Sequence, residues 1–219
     1  MQKLTGEAWI TSKAKRRQDI GLSLAMAPIA IPAVAAASTA IRFVDGMPPL
    51  FVHERLGQAH ETFRMYKLRT MPPETPLTAG GKHDDNRRTT LGKALARIRA
   101  DEAPQFLNVL RGQMSIVGYR PLIAGEYEQA KQERWLTDKQ HEDLMRMRAI
   151  GKPGLLHLLG VQNRDMEFQD TRECWQARYE TEREYFDNAS SEFDWSIMIS
   201  CAKIAADILM EKASLRDIA

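Results

Sequence analysis

The sequence predicts a helix-rich α/β protein that begins with an apolar helix interrupted by prolines. Residues 20–41 contain no charged side chain. Residues 63–71 alternate large and polar side chains, as a half-buried β-strand does. The second half of the chain consists mainly of long charged stretches of helical composition, so helix should outweigh strand. The length of 219 residues suffices for one domain with its own core.

The apolar segment has the length and composition of a membrane helix. It spans about 22 residues, and roughly 20 helical residues cross a bilayer. Pro28 and Pro32 lie near its middle, and each removes a backbone donor, so we expect a kink there. A kinked apolar helix can enter one leaflet and return to the same face. Basic residues at positions 13–17 and at Arg42 suit anchoring of both ends at one cytoplasmic surface.

Other interpretations of this segment compete with a re-entrant helix. A cleaved signal peptide is disfavoured, because the apolar run is long and starts late. A buried core helix would be shorter and less uniformly apolar. A single-pass helix stays open, because membrane helices tolerate proline. The residues alone therefore assign positions 1–45 to a membrane anchor and 46–219 to a globular domain, and leave re-entrant and spanning geometries both open.

The first half of the globular region contains two predicted strands and a predicted helix. Residues 50–52 form a short apolar run that indicates a strand, with a turn at 53–57. The second strand, 63–71, places Arg64, Lys67 and Arg69 near one another. The Pro-, Gly-, Thr- and Asp-rich stretch 72–86 predicts a loop. Residues 90–99 have helical composition.

The remainder is predicted to be helical, with two breaks. Apolar spacing predicts a helix over 103–110. A loop-to-turn region is predicted at 112–121, and one long charged helix over 125–150 that ends before Pro153. Two more helices are predicted, a charged one over 167–185 and an amphipathic one over 193–210.

Asp101 and Glu102 are the candidate chemical residues. They follow Arg97 and Arg99 and precede the apolar run at 103–110. Adjacent carboxylates among cations suit binding of a divalent metal and of phosphate, and a helix N-terminus favours negative charge. Taken alone, such a pair is more often a solvated helix start or cap.

Composition excludes several other classes of protein. A net charge of +2 argues against a general nucleic-acid binder. Cys174 and Cys201 match no metal spacing and cannot form a disulfide framework, which fits a reducing compartment. The five histidines show no ligand spacing.

The chain contains an ordered series of motifs, which are Arg55-Leu56-Gly57, residues 63–71, Arg88-Thr89 with Gly92, residues 101–105, 108–112 and 114–118, and Arg120-Pro121. This series resembles the bacterial sugar transferases, which are monotopic polyprenyl-phosphate phosphoglycosyl transferases. The resemblance runs from about Lys15 to the C-terminus, and several motifs in the correct order are more specific than any one of them.

The resemblance implies a reaction, a location and a set of site residues. A phosphosugar passes from a UDP-sugar to polyprenyl (undecaprenyl) phosphate, giving a polyprenyl-diphosphate sugar and UMP, as the first step of exopolysaccharide or glycoconjugate assembly. Asp101 is then the nucleophile that forms a covalent intermediate, and Asp101 and Glu102 bind Mg²⁺, with Mn²⁺ as an alternative. The implied substrate- or phosphate-binding residues are Lys67, Arg69, Arg88, Arg97, Arg120 and Arg164.

The implied setting is the cytoplasmic face of the bacterial inner membrane. The family's anchor favours the re-entrant geometry, at about residues 19–43, over the spanning one. Expected partners are the UDP-sugar, polyprenyl phosphate and membrane lipids, with downstream glycosyltransferases and a homo-oligomer as further expectations, and no nucleic acid.

The chain departs from the family pattern at several positions, and other functions remain open. Tyr119 replaces a usual proline, Ala96 replaces a usual arginine, and residues 155–160 differ from the usual sequence, so the sugar is not identified. One alternative is a catalytically divergent relative that binds lipid-linked intermediates or partner transferases. Another is a membrane-anchored module that binds anionic lipids or nucleic acid through its basic residues.

Overall fold

A computed structural model describes residues 4–75, 85–163 and 171–216. Its α-helices are α1 (Glu7–Ile10), α2 (Lys13–Ala40), α3 (Thr90–Arg97), α4 (Phe106–Leu110), α5 (Ala124–Gln132), α6 (Asp138–Ile150), α7 (Leu158–Gln162), α8 (Arg172–Asn188) and α9 (Ser191–Arg216). The strands are β1 (Leu50–Leu56), β2 (Thr62–Leu68), β3 (Ser115–Val117) and β4 (Gly154–Leu156). The prediction of a helix-rich protein with a small β element is confirmed.

Helix α2 is the long apolar N-terminal helix that the sequence predicts. It contains 28 residues, with Pro28 and Pro32 inside it, and a π-helical turn, Ile41–Asp45, continues it. At 1.5 Å per residue it is about 42 Å long, more than the roughly 30 Å of a bilayer's hydrocarbon core. Only 6% of its most apolar 18-residue window is buried. Length and composition suit a membrane segment, and the kink and re-entrant path stay predictions.

The first turns of α2 are embedded in the globular domain. Lys15 Nζ lies 2.7 Å from Asp194 Oδ2 on α9 and donates to the carbonyl of Val117 at 3.0 Å. Asp19 accepts hydrogen bonds from Ser115 Oγ and Ile116 N, each at 2.9 Å. The expectation that the whole basic cluster at 13–17 faces the membrane surface is therefore wrong for Lys15, because this ammonium group neutralises buried carboxylates.

Arg16 also binds inward. Its Nη1 and Nη2 atoms donate to the carbonyls of Val109 and Leu110, at 2.6 and 2.8 Å. These carbonyls are at the C-terminus of α4, where the last turn lacks helical donors and carries partial negative charge. Arg16 therefore joins the base of the membrane helix to the helix that follows the acidic pair.

Strands β1 and β2 form an antiparallel hairpin that pairs Leu50 with Leu68 and Leu56 with Thr62. The strand predicted at 50–52 is confirmed as the start of β1, and the strand predicted at 63–71 is confirmed only as far as Leu68, where β2 ends. The turn predicted at 53–57 is wrong. Residues 53–56 continue β1, and the chain turns at Ala59 and His60, which both have positive φ. Neither alanine nor histidine specifies a left-handed turn by itself, so the place of this turn could not be predicted.

Two further boundaries differ from the prediction. The expected turn region at 112–121 contains β3, which pairs in parallel with β4. A three-residue buried strand is too short to show alternation. The helix predicted over 125–150 is two helices, because α5 ends at Gln132 and α6 starts after Thr137. The Thr137 side chain caps α6 by accepting a hydrogen bond from Gln140 N. Thr137 and Gln140 form a capping box, a signal that the sequence does contain.

The main core lies between the C-terminal helices and the short parallel sheet, and includes Leu144, Met147, Trp175 and Phe186. The helix predicted over 167–185 is α8, and residues 167–170 lie outside the described residues. On α9, Ile197 packs into the core while Trp195 and Ile199 are about half exposed.

A second, smaller core connects α2 to the elements around the acidic pair. Ile41, Met47 and Leu68 are buried together, and side chains from the C-terminal part of α2 (Val34, Ala37) and from α3 (Leu91, Leu95) pack on them. The hairpin and α3 are thus fixed against the far end of the apolar helix.

Candidate active site

Asp101 and Glu102 lie in a 3₁₀ turn, Ala100–Gln105, between α3 and α4. The residue before this turn, Arg99, has φ 54° and ψ 22°, in the left-handed region. A non-glycine residue in this region carries local strain, and such strain is concentrated at functional sites. The backbone reversal at Arg99 directs the acidic pair back toward the hairpin. The sequence predicted the pair at a helix start, and the structure confirms this.

Lys67 forms an ion pair with Glu102, the second residue of the acidic pair. Its Nζ lies 2.9 Å from Glu102 Oε1, and Arg99 Nη1 lies 3.6 Å from the same oxygen. Side-chain alternation along β2 places Lys67 on the face that also carries the buried Phe63 and Met65. The hairpin therefore presents a lysine to the turn that carries the carboxylates.

The Asp101 side chain is almost fully enclosed, with 7% of its surface exposed. Burial raises the pKa of this carboxyl, and the neighbouring charge of Glu102 raises it further. Lys67, Arg88 and Arg99 act in the opposite direction and favour the ionised form. The result is a desolvated carboxylate held among cations, which is the environment of a reactive group rather than of a solvated helix cap.

Asn108 fixes the position of the turn, and sequence reasoning assigned it no role. It is fully buried, and its Nδ2 donates to the carbonyl of Arg64 at 2.7 Å and to Gln113 Oε1 at 2.9 Å. Its Oδ1 accepts from Tyr66 N at 3.2 Å. The position of Asn108 within the apolar run of α4 could have identified it, because a buried side-chain amide needs hydrogen-bond partners.

Gly92 allows α3 to approach the end of β2. A Cβ atom there would lie 2.2 Å from the carbonyl oxygen of Thr70, which no side chain tolerates. Thr89 caps α3 by accepting from Gly92 N at 2.9 Å, and its hydroxyl donates to Asp45 Oδ2 at 2.8 Å. This close packing brings the preceding residue, Arg88, within electrostatic reach of Asp101.

His53 is a second residue near the site that sequence reasoning left unassigned. Its ring stacks on Phe51, with centroids 5.7 Å apart, on the inward face of β1. Burial lowers its pKa to about 4, with smaller effects from Arg55, which lowers it, Glu126, which raises it, and Lys67, which lowers it. The imidazole is therefore neutral at neutral pH. Alternation along 51–55 could have placed it on this face.

The comparisons with known proteins decide the family. A family model described as bacterial sugar transferase matches residues 10–207, nearly the whole chain. The chain belongs to the bacterial sugar transferase family. The resemblance predicted from the ordered motifs is thereby confirmed.

Individual relatives of this sugar transferase carry different names. A UDP-N-acetylgalactosamine-undecaprenyl-phosphate N-acetylgalactosaminephosphotransferase of Aeromonas hydrophila is 35% identical over 49% of the chain. The exopolysaccharide production protein ExoY of Sinorhizobium fredii is 32% identical over 64%. A UDP-glucose:undecaprenyl-phosphate glucose-1-phosphate transferase of Escherichia coli is 31% identical over 84%. The matches cover 26%, 64% and 38% of these three relatives, so the chain matches only part of each.

The other predicted binding residues of the sugar transferase lie in different places. Arg69 donates to the carbonyls of Pro48 and Leu50, at 2.9 and 3.3 Å, and so helps to hold the start of β1. Arg97 is exposed at the end of α3. Arg120 follows β3 and lies among other arginines, and Arg164 lies outside the described residues. The structure thus brings Lys67 and Arg88 to the acidic pair.

The acidic pair is compatible with the divalent metal that the family implies. Within residues 4–75, 85–163 and 171–216, no group of three or more His, Cys, Asp or Glu side chains could hold a metal ion. Mg²⁺ usually binds through one or two carboxylates together with substrate phosphates and water. Asp101 and Glu102 supply two carboxylates, and the raised pKa of Asp101 indicates that nearby cations do not fully offset the desolvation of its charge. These residues therefore fit a metal that arrives with, or is completed by, a phosphate ligand.

Proposed function

We propose that this sugar transferase moves a phosphosugar from a UDP-sugar to undecaprenyl phosphate, through a covalent intermediate on Asp101. The observation that carries the proposal is the buried Asp101–Glu102 pair at a strained turn beside Lys67. The printed names of the Aeromonas and Escherichia relatives support the donor and acceptor classes.

The first step would be attack by an Asp101 carboxylate oxygen on the phosphorus that bears the sugar. One O–P bond forms, the bond from this phosphorus to the bridging oxygen breaks, and UMP leaves with the bonding electron pair. In its ionised form, Asp101 attacks without any proton transfer. Burial strips water from the carboxylate, and Lys67, Arg88 and Arg99 favour its ionised form.

In the second step, a phosphate oxygen of the polyprenyl phosphate would attack the same phosphorus. The new diphosphate bond forms as the aspartyl–phosphorus bond breaks, which regenerates the Asp101 carboxylate. Lys67, which holds Glu102 at 2.9 Å, would place positive charge beside the transferring group. Mg²⁺, bound by Asp101 or Glu102 together with phosphate oxygens, would neutralise charge on the phosphates.

A membrane location follows from the same proposal. The acceptor is a lipid, and α2 and the π-helical turn that continues it expose apolar side chains that no part of the described domain covers, with Ile29 78% and Phe43 82% exposed. The second core fixes the C-terminal part of this helix to the hairpin and α3. We propose that the enzyme acts at the cytoplasmic face of the bacterial inner membrane, where it starts assembly of a surface glycan.

The experiment that tests this function measures UMP release from a panel of UDP-sugars. The protein is held in nanodiscs with Mg²⁺, and undecaprenyl phosphate is either included or left out. We expect sustained release with one donor or a few related donors, and only when the acceptor is present. Folded protein that releases no UMP from any donor would contradict the proposal and favour a relative that binds lipid-linked intermediates without turnover.

A further inference from the structure

A cavity of about 250 Å³ lies at the base of α2, and we call it the α2-base cavity. It is lined by the end of α1, the start of α2, β3, the segment between α6 and β4, and α8. Ile10, Ile150 and Phe186 give it an apolar wall. None of the described residues that line it belongs to the acidic pair or its cations. Pockets for drug-sized ligands usually enclose roughly 300–1,000 Å³, so this cavity suits a ligand smaller than a sugar nucleotide.

Two cationic side chains, Arg16 and Lys152, line the α2-base cavity without a carboxylate partner. Arg16 donates to two backbone carbonyls of α4 and keeps its charge. Lys152 is half-buried and forms neither an ion pair nor a hydrogen bond in the part of the chain that the structure describes. Burial lowers the pKa of Lys152 and the charge of Arg16 lowers it further, while Asp19 raises it. The ammonium group therefore lies beside a second positive charge in a partly desolvated place, where an anion would stabilise both.

The carboxylates near the cavity are already engaged. Asp19 accepts hydrogen bonds from the start of β3 and lies 3.6 Å from Lys15 Nζ. Asp194 lies 2.7 Å from the same lysine nitrogen. Three cations thus face two carboxylates, and the excess positive charge lies at Arg16 and Lys152.

Gly112 leaves open the space beside these two cations. It has φ 79°, in the left-handed region that favours glycine. A Cβ atom there would lie 3.6 Å from Arg16 Nη2 and 3.7 Å from Lys152 Nζ. Charge-assisted hydrogen bonds to phosphate oxygens are about 2.7–2.9 Å long, so small side-chain shifts would let one oxygen contact both groups. The two cations are therefore placed to bind one anionic group.

The α2-base cavity lies at the depth of the lipid headgroups. Arg16 precedes Ile20, the first residue of the uncharged run, by four residues, which corresponds to about 6 Å along a helix. The headgroup layer of a bilayer is roughly 5–8 Å thick on each side of the hydrocarbon core. A spanning and a re-entrant α2 both enter the bilayer from this end, so the depth is the same for either path. The phosphates of phospholipids are the anions present at this level.

We propose that the α2-base cavity binds the headgroup of an anionic glycerophospholipid, with Arg16 and Lys152 contacting its phosphate and the apolar wall contacting its glycerol. An anionic headgroup fits better than a zwitterionic one, because the carboxylates that could pair with a choline group are already engaged. A lipid bound in this way would join the base of α2 to the segment before β4 and fix the depth of the domain. The inference rests on the membrane location in the proposed function and not on the transfer reaction.

The test measures lipid binding by the full-length protein in an uncharged detergent. The protein is titrated calorimetrically with dihexanoyl phosphatidylglycerol, dihexanoyl phosphatidylcholine, inorganic phosphate and farnesyl phosphate, each separately. The variants are Lys152→Gln, which removes the charge, and Lys152→Arg, which keeps it. The matched control is Lys13→Gln, since Lys13 is exposed at the same end of α2 and attracts anionic lipids only through its charge. Thermal melting without lipid checks the fold, and Lys152→Met replaces Lys152→Gln if that variant does not fold.

We expect Lys152→Gln to bind phosphatidylglycerol at least tenfold more weakly than the wild type, Lys152→Arg and Lys13→Gln do. Phosphatidylcholine and inorganic phosphate should each bind the wild type at least tenfold more weakly than phosphatidylglycerol. The proposal is overturned if Lys152→Gln binds phosphatidylglycerol as Lys13→Gln does, or if the wild type does not prefer this lipid. Tighter, Lys152-dependent binding of farnesyl phosphate would also overturn it, in favour of a site for the acceptor.

The wild-type protein in nanodiscs is assayed for UMP release in parallel, which separates this inference from the proposed function. Lysine-dependent binding of phosphatidylglycerol without turnover of any UDP-sugar would contradict the transfer reaction alone. Turnover without such lipid binding would overturn only the headgroup site.

Discussion

Replacement of Asp101 by Asn is expected to lower UMP release and lipid-product formation by about 10³-fold or more. An amide has nearly the shape of the carboxylate but cannot form the aspartyl–phosphorus bond. The measurement is the steady-state rate with the cognate UDP-sugar and undecaprenyl phosphate. Glu54→Gln is the control, since Glu54 is an exposed carboxylate on the outer face of the hairpin, and it should keep the wild-type rate.

The same variant should be at least as stable as the wild type, which separates lost chemistry from lost folding. Burial and Glu102 raise the pKa of Asp101 in the folded protein, so the ionised carboxylate destabilises the folded state at neutral pH. Asp101→Asn removes that cost, and each kcal/mol gained raises Tm by about 2–4 °C. The gain should be complete above the folded pKa and disappear as the pH falls toward the ordinary aspartate pKa. Melting without Mg²⁺ from pH 8 to pH 4 tests this, and a lower Tm for the variant at neutral pH would contradict it.

Loss of the Lys15 ammonium group is expected to have the largest effect on stability. Lys15 lies 2.7 Å from Asp194 and 3.6 Å from Asp19, and both carboxylates are buried. Lys15→Met leaves these two negative charges without their cation, and breaking a buried ion pair in this way costs about 3–5 kcal/mol. Thermal melting in nanodiscs should show a Tm lower by about 6–20 °C.

Lys13→Met provides the control for Lys15→Met, because Lys13 is exposed on the same helix two residues earlier. It should melt within about 2 °C of the wild type. Adding Asp194→Asn to Lys15→Met should recover part of the lost stability, since the double variant no longer buries the Asp194 charge. Equal melting temperatures for Lys13→Met and Lys15→Met would show that the buried network does not hold α2 to the domain.

The parts of the fold that the sequence predicted are those with a strong local signal. The uncharged run of α2, the alternation of β2 and the helical composition of α3 each depend on neighbouring residues only. The β3–β4 pair was missed because three buried residues carry no period, and because their partners are separated by more than 30 residues in the chain. The turn at Ala59 and His60 was misplaced because tertiary packing, not residue type, imposes its left-handed backbone.

The candidate site shows the same division between local and long-range information. The acidic pair and Lys67 were identified from motifs in an ordered series, and the structure brings them together. The burial of Lys15 could not be predicted, because a lysine before an apolar helix looks like a membrane-surface residue until Asp194, at the other end of the chain, is placed beside it.

The central claim is the covalent intermediate on Asp101, and peptide mass spectrometry tests it most directly. The protein is incubated with its cognate UDP-sugar and Mg²⁺ without acceptor, and then digested. We predict a mass increase of one phosphosugar on the peptide that contains Asp101, absent from Asp101→Asn and lost when undecaprenyl phosphate is added. Rapid turnover with no adduct on that peptide, or an adduct that the acceptor does not remove, would contradict the account.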